Sequence, residues 1–149
     1  MRTVADTLEE LSSILDELRD RPKDTVILVE GLKDRGALAA LGVGGDIWLI
    51  QWGGSILSLA EDLVQRRKTA IILTDWDRKG GQLCRLIRQA LKANGVPFDD
   101  SKRMRLVNMS KKDIKDVESL PSFYSRLVAE TQKTRAQQKG GKDIKGSIF

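Results

Sequence analysis

The chain has 149 residues, of which 40% are hydrophobic and 32% charged, so its composition is that of a folded globular domain rather than a disordered segment. Its single cysteine excludes an internal disulfide and a cysteine-rich zinc site, and the absence of histidine excludes His-based catalysis and His-ligated metals. The net charge is +5, and residues 131–149 carry five basic side chains against one acidic one, so the basic character belongs mainly to the C-terminal end.

The sequence shows no sign of a membrane segment or a leader. No apolar run comes near the roughly 20 residues that a bilayer-spanning helix needs. The first six residues run into an acidic position without the apolar stretch of a signal peptide. We therefore expect a cytoplasmic protein that has no membrane among its partners.

The first third of the chain predicts a helix, a strand and a second helix. Leucine and isoleucine recur at spacings of three and four over about residues 5–19, which is typical of an amphipathic helix. Thr25–Val29 is a short apolar run without alternation, as in a parallel strand that is covered on both faces, and it ends at Glu30. A second helix is predicted over about residues 35–41.

The rest of the chain continues this alternation. Further strands are predicted at Ile47–Ile50, Ala70–Leu73 and Met104–Val107. Further helices are predicted from Ile56, from the residues after Gly80 and Gly81, and from Pro121. The pattern predicts an α/β fold with an open, mostly parallel four-stranded sheet and helices on both faces.

Three parts are predicted along the chain. Residues 1–23 form a helix that packs on the core, residues 24–130 form the α/β domain, and residues 131–149 form a basic tail. Apolar residues nearly vanish in this tail and Gly140 is followed by Gly141, so we expect it to be flexible. It is the segment through which we expect a protein or ribonucleoprotein partner to bind.

Acidic side chains follow the first and the third predicted strands. Glu30 ends the first strand, and Asp75 and Asp77 follow the third. Ligands bind at the carboxyl ends of parallel strands, so these carboxylates converge if the two strands are neighbours. Crowded carboxylates favour a neutralising cation, and oxygen ligands without histidine favour Mg²⁺, with Mn²⁺ as the alternative, over zinc.

Several flanking residues have both a structural and a functional interpretation. Lys33, Arg78 and Lys79 flank the acids and are candidates for binding nucleic-acid phosphates, although lysine and arginine are common on any protein surface. Gly31 and Gly80 serve either as turn residues or as points where a phosphate or metal approaches the backbone.

These residues resemble the motifs of the Toprim domain, which is shared by topoisomerases, bacterial-type primases and a set of nucleases. Val29-Glu30-Gly31 matches the motif that closes the first strand, and residues 75–80 match the pattern Asp-x-Asp-x-x-Gly after the third. The primase-like branch has an acid four residues after the glutamate, which Asp34 supplies here. It also has a later acidic pair, which Asp116 and Glu118 match, with Glu in place of the second Asp.

The resemblance covers about residues 24–120 and implies a Toprim-like, Rossmann-like fold together with roles for these residues. Glu30 would be a general acid or base, or a metal ligand as in the nuclease branch. Asp75 and Asp77 would bind Mg²⁺ and complete the catalytic set. Further metal ligands, or ligands of a second ion, would be Asp34, Asp116 and Glu118.

The chain departs from the larger members of that family. Its one tyrosine, Tyr124, lies on an apolar helix face where packing is the expected role, and one cysteine leaves no zinc module of a primase. What remains resembles the small free-standing Toprim proteins, which are similar to the nucleases that mature ribosomal RNA. We therefore predict Mg²⁺-dependent chemistry on nucleic-acid phosphodiesters, RNA or DNA, by a nuclease or RNA-processing enzyme.

Two other interpretations stay open. A non-catalytic module that binds nucleic acid or a ribonucleoprotein would suit a minimal Toprim core, which offers little surface for gripping a substrate. Phosphatases of the haloacid-dehalogenase type also begin with Asp-x-Asp after a strand. That interpretation is weaker, because Lys79 stands where Thr or Val would follow and a separate strand carries Glu30.

Overall fold

The structure is a computed structural model that describes residues 2–52 and 54–148, with the backbone alone at position 52 and at positions 139–148. The helices are α1 (Val4–Arg19), α2 (Leu32–Ala40), α3 (Ile56–Gln65), α4 (Arg78–Ala93), α5 (Ser101–Ser110) and α6 (Leu120–Ile148). The strands are β1 (Thr25–Val29), β2 (Ile47–Leu49), β3 (Thr69–Ile72) and β4 (Phe98–Asp99), and a 3-10 turn at Ile50–Trp52 follows β2.

The four strands form one sheet in the order β2-β1-β3-β4, and every neighbouring pair is parallel. Ile27 in β1 lies opposite Ile47 in β2 and Ile71 in β3, so the carboxyl ends of these strands lie at the same edge of the sheet. The predicted α/β fold with a parallel four-stranded sheet is confirmed. Because β1 and β3 are direct neighbours, the residues that follow them lie close together.

Helices cover both faces of the sheet. In β1, Ile27 and Val29 point towards the core formed with α1, α2, α5 and α6, whereas Val26 and Leu28 point towards α3 and α4. All five residues of β1 are buried. A strand with two buried faces needs apolar side chains at every position, which explains why its sequence shows no alternation.

The predicted position of the fourth strand is wrong. Met104–Val107 belongs to α5, and β4 is formed by the two half-buried residues that precede that helix. Leu106 and Ser110, four residues apart, form the buried stripe of α5, while Arg105 pairs with two glutamates of α1. This helical spacing of buried and paired side chains, and not a strand's alternation, decides the conformation.

The last helix runs through the segment for which the sequence predicts a flexible tail. The backbone of α6 is helical from Leu120 to Ile148, since the glutamine, lysine, arginine and alanine residues there are good helix formers. Phe123, Leu127 and Thr131 are buried where α6 packs on α1. Residues 132–138 are exposed, and the basic side chains beyond them lie outside the described residues. The three-part division and the tail's partner stay predictions.

The described helices can also be compared with the dimensions of a bilayer. Within residues 2–52 and 54–148, none combines the length and the apolar character that crossing a membrane requires.

Candidate functional site

The residues that follow β1 and β3 meet at the carboxyl edge of the sheet. The backbone N–H of Leu73 donates to the carbonyl of Leu28 at 2.9 Å, which carries the pairing one residue beyond β3. The backbone N–H of Asp75 then donates to Oε2 of Glu30 at 2.8 Å. The structure therefore brings together the first two carboxylates that the sequence singled out.

The Asp75 carboxylate is held against the segment that leads into α6. Its Oδ1 accepts a hydrogen bond of 3.0 Å from the backbone N–H of Val117. Burial, together with the negative charges of Asp34 and Glu30, raises the pKa of Asp75 to about 7, against the opposite effect of the Val117 N–H. Crowding of this kind favours a cation at the site, because a cation relieves the repulsion between the carboxylates.

Asp34 both caps a helix and belongs to the acidic site. Its Oδ2 accepts a hydrogen bond of 3.0 Å from the N–H of Gly31 and so caps α2, yet the side chain is only 7% exposed. Burial raises the pKa of Asp34, and the charges of Glu30, Glu118 and Asp116 raise it further. The charge of Asp34 also acts on Asp75, so Asp34 connects five acids that we call the acidic cluster: Glu30, Asp34, Asp75, Asp116 and Glu118.

Asp77 caps the helix that follows β3. It is exposed, and its Oδ1 accepts a hydrogen bond of 2.7 Å from the N–H of Gly80, which makes it the N-cap of α4. Its role as a metal ligand stays a prediction.

The chemistry of the acidic cluster suits a hard cation. All of its side-chain donors are carboxylate oxygens, which Mg²⁺ prefers. Across the described part of the chain, no three Asp, Glu or Cys side chains are placed to share a single ion. Magnesium commonly takes only one or two protein carboxylates and fills its remaining positions with water and phosphate oxygens. The adjacent Glu30 and Asp75 fit that requirement.

Gly80 is required by the close approach of α4 to the loop after β3. A Cβ atom at this position would lie 1.9 Å from the carbonyl oxygen of Asp75, a distance that no side chain tolerates. The buried hydroxyl of Thr74 donates to the carbonyl of Gly80 at 2.9 Å and closes the same contact. The structural interpretation of this glycine, packing between backbone segments, accounts for it without a phosphate.

Sequence reasoning missed Arg103, which fixes the loop that carries Asp75. Its Nε donates to the carbonyl of Thr74 at 3.0 Å and its Nη2 donates to the carbonyl of Asp75 at 2.8 Å. Nothing in the sequence pattern points to this residue, because it precedes a segment that reads as a strand. A helical interpretation of α5 would have placed it on the side facing the loop.

The connection between α5 and α6 holds the other side of the loop. The backbone N–H of Trp76 donates to the carbonyl of Lys115, and its indole Nε1 donates to the carbonyl of Ile114, both at 2.8 Å. Trp76 is half-buried and packs against the core. The loop is thus held by two separate parts of the chain.

The candidate phosphate-binding residues lie at helix N-termini on the same edge. Lys33 belongs to the first turn of α2, and Arg78 and Lys79 open α4; all three side chains are exposed. Both helices begin directly after the strand-end segments, so their positive dipole ends face the edge where the carboxylates lie. A phosphate next to the acidic cluster would meet these charges.

A parallel sheet with carboxylates after two adjacent central strands defines this chain as an α/β protein with a strand-end acidic centre. Residues 25–109 match the family model of the Toprim domain. The chain therefore belongs to the Toprim domain family, and the resemblance seen in its sequence is confirmed. Membership indicates a metal-binding function related to nucleic acids.

Similar proteins come from archaea and from one solved bacterial structure. The chain is 36% identical to the UPF0292 protein PYRAB04740 of Pyrococcus abyssi, over 83% of this chain and 90% of that protein. It is 32% identical to the UPF0292 protein MJ1624 of Methanocaldococcus jannaschii, over 79% of this chain and 92% of the relative. The solved structure of a putative protein from Aquifex aeolicus matches with a TM-score of 0.62 and 25% identity, over 73% of this chain and 96% of its own.

Proposed function

We propose that the protein is a Mg²⁺-dependent enzyme that cleaves phosphodiester bonds of nucleic acid, as a nuclease or an RNA-processing enzyme. The observation that carries the proposal is the acidic cluster, in which Glu30 and Asp75 follow adjacent strands and are joined by a 2.8 Å hydrogen bond. Membership of the Toprim family supports it, because that family is associated with metal-dependent chemistry on nucleic acids.

A bound Mg²⁺ supplies a Lewis acid that polarises a phosphoryl oxygen. Asp75 and Glu30 would hold the ion, with Mn²⁺ as a substitute of similar ligand preference. Asp34 strengthens cation binding from its buried position, because its charge is poorly screened there. Asp116 and Glu118 add negative charge beside it and are the candidates for a second ion.

The chain's own groups also account for proton transfer and substrate binding. One oxygen of Glu30 is fixed by the Asp75 N–H, so the carboxylate is oriented, and its other oxygen would either bind the ion or, where Asp75 alone holds the ion, take up or deliver a proton. Lys33, Arg78 and Lys79 would bind the phosphates on either side of the cleaved bond, helped by the N-termini of α2 and α4.

The test is cleavage of end-labelled RNA and DNA, single- and double-stranded, with Mg²⁺, with Mn²⁺ and with EDTA. We expect cleavage that needs metal and that falls at least about 100-fold in Glu30→Gln and in Asp75→Asn. The matched control is Asp20→Asn, at the exposed C-cap of α1, which should cleave as the unaltered protein does. Substrates left intact by the unaltered protein with either metal would overturn the proposal.

A second candidate is a nucleic-acid or ribonucleoprotein-binding module without turnover. The observation in its favour is α6, whose exposed residues 132–138 include Lys133 and Arg135. Removing residues 132–149 keeps the buried Thr131 and separates the two functions. Binding that is lost by the truncated chain, together with no cleavage by the full chain, supports the module. Cleavage that survives truncation supports the enzyme.

A further inference from the structure

A cavity of about 350 Å³ lies between the edge strand β2 and helix α3. Its lining is mostly apolar, with the Trp48 indole on one side and Ile56 and Leu59 of α3 on the other. Polar groups join at Ser55, at Asp62 and at Arg66. This is the composition of a site for a small planar group: apolar walls with a few polar side chains that orient it.

Trp48 already carries a stacked planar cation. The guanidinium carbon of Arg66 lies 5.4 Å from the centroid of the indole ring, and the Arg66 side chain is exposed. An aromatic face with an arginine beside it is the combination that binds the bases of single-stranded nucleic acid, by stacking and by cation–π attraction. Because the Arg66 side chain is exposed, it can rotate away from Trp48 and stack on an entering base.

The cavity adjoins the acidic cluster along the strand register. Leu49, which lines the cavity, lies opposite Val29, the residue before Glu30. Neighbouring strands are about 4.8 Å apart, so the end of the cavity at Leu49 and Ser55 lies about one strand away from Glu30 at the carboxyl edge of the sheet. The segments that follow β1 and β2 also lie close together, because a Cβ atom at Gly31 would lie 3.1 Å from Oε1 of Gln51.

Positive charge lies at the other end of the cavity, where α3 ends and β3 begins. Arg66 caps the C-terminus of α3 and Arg67 follows in a left-handed turn at φ 53°, with both side chains exposed. Lys68 completes the basic run and pairs with Asp46 at 3.3 Å. A single strand that runs from the acidic cluster across the cavity would carry the phosphates on the far side of the bound base past this run, where arginines neutralise them.

We propose that this cavity is a base-binding subsite, which holds one unstacked base of a single-stranded segment whose backbone lies at the acidic cluster. The inference rests on the proposed function and adds that the substrate is single-stranded where it is bound. The base stacks on Trp48, and Arg66 binds its other face or the adjoining phosphate. Stacking recognises the π-face that all bases share, so the subsite tolerates different bases.

The experiment uses the full chain in EDTA, so that binding is measured without cleavage. The probe is a set of short single-stranded RNA and DNA oligonucleotides, each with a single 2-aminopurine whose fluorescence is quenched by stacking. We expect quenching at one probe position and weakening of binding by about 5- to 150-fold in Trp48→Leu, the range for loss of one stacked base. Arg66→Ala, at an exposed side chain, should reduce both the quenching and the affinity.

The matched control is Arg126→Ala. Arg126 stacks on Phe123 at the same 5.4 Å but is not among the residues that line the cavity. It should bind and quench as the unaltered protein does, and circular dichroism checks that each variant is folded. If Trp48→Leu and Arg66→Ala both quench and bind as the unaltered protein does, the inference is overturned. A change of oligomeric state in Trp48→Leu with quenching retained would also overturn it, since the cavity would then be a contact between two copies of the chain.

The same experiment separates this inference from the proposed function. Metal-dependent cleavage that is unchanged in Trp48→Leu, with unchanged quenching, removes the subsite and keeps the enzyme. Binding that depends on Trp48, without cleavage when Mg²⁺ is added, keeps the subsite and removes the enzyme. If the unaltered protein neither binds nor cleaves any oligonucleotide, both are overturned.

Discussion

Replacing Asp75 by asparagine should make the metal-free protein more stable at neutral and alkaline pH. The folded chain raises the pKa of this carboxyl from its ordinary 3.8 to about 7, mainly by burial. Folding therefore becomes less favourable as pH rises from about 4 to 7, and the penalty is constant above that range. Asparagine has no charge to bury, and its amide oxygen can still accept the hydrogen bond from the Val117 N–H.

The magnitude follows from the shift. A difference of about 3 pKa units corresponds to about 4 kcal/mol at pH 8 if the whole shift is relieved, and to less than 2 kcal/mol at pH 5. Because Asp34 and Glu30 share the repulsion with Asp75, we expect a measured gain of about 2–4 kcal/mol at pH 8. For a chain of this size that corresponds to a rise in Tm of about 5–15 °C.

The assay is thermal and urea unfolding, followed by circular dichroism, at pH 5 and pH 8 in EDTA and then with Mg²⁺. Asp20→Asn controls for the loss of one exposed negative charge. Added Mg²⁺ should raise the Tm of the unaltered protein and leave that of Asp75→Asn nearly unchanged, because a ligand stabilises only the state that binds it. A variant that is less stable at pH 8, or whose gain is the same at both pH values, would refute this reasoning.

Other substitutions test the contacts that build the site. Gly80→Ala should lower the free energy of urea unfolding by at least about 3 kcal/mol, because its Cβ would lie 1.9 Å from a backbone oxygen. Gly36→Ala should instead stabilise α2 by about 0.5–1 kcal/mol, because no atom outside the neighbouring helix backbone lies within 4 Å of the added Cβ. If both substitutions change the stability by the same amount, close packing does not explain the glycine at position 80. Arg103→Met should lower stability by about 1.5–3 kcal/mol and also weaken Mg²⁺ binding in calorimetry, because it releases the Asp75 loop. Arg105→Met, which breaks only the α5–α1 ion pairs, should lower stability without changing Mg²⁺ affinity, and a loss of affinity there would contradict the role of Arg103.

The central strands and two members of the acidic cluster could be predicted from local sequence because local constraints determine them. A strand buried on both faces must be apolar throughout, so β1 and β3 are visible as uninterrupted runs. Parallel strands end at one edge, so the residues after adjacent strands must be neighbours, and Glu30 and Asp75 follow directly. The second inference needs one fact that local sequence does not contain, the adjacency of β1 and β3 in the sheet.

The rest depends on contacts between distant parts of the chain. β4 has two half-buried residues and owes its conformation to pairing with β3, so no periodic pattern marks it. Arg103 acts on carbonyls 28 and 29 residues away, and such backbone acceptors leave no trace in the sequence. For Asp77, the sequence motif shows that an acid is present, but it does not show that the carboxylate caps α4.

These long-range contacts explain how the Asp75 loop keeps its conformation although the acidic cluster destabilises the metal-free fold. The buried, mutually repelling carboxylates lower the stability of the metal-free fold, so the loop that carries Asp75 would relax unless other contacts held it. Arg103 fixes its carbonyls, whereas Val117 and the carbonyls of Ile114 and Lys115 fix its other groups. Residues 114–117 lie beyond the family match at 25–109, in the same segment that supplies Asp116 to the acidic cluster. The site is therefore completed by the connection to α6, and a chain cut at residue 109 would keep Glu30, Asp34 and Asp75 but lose Asp116, Glu118 and the contacts that hold the Asp75 loop in place.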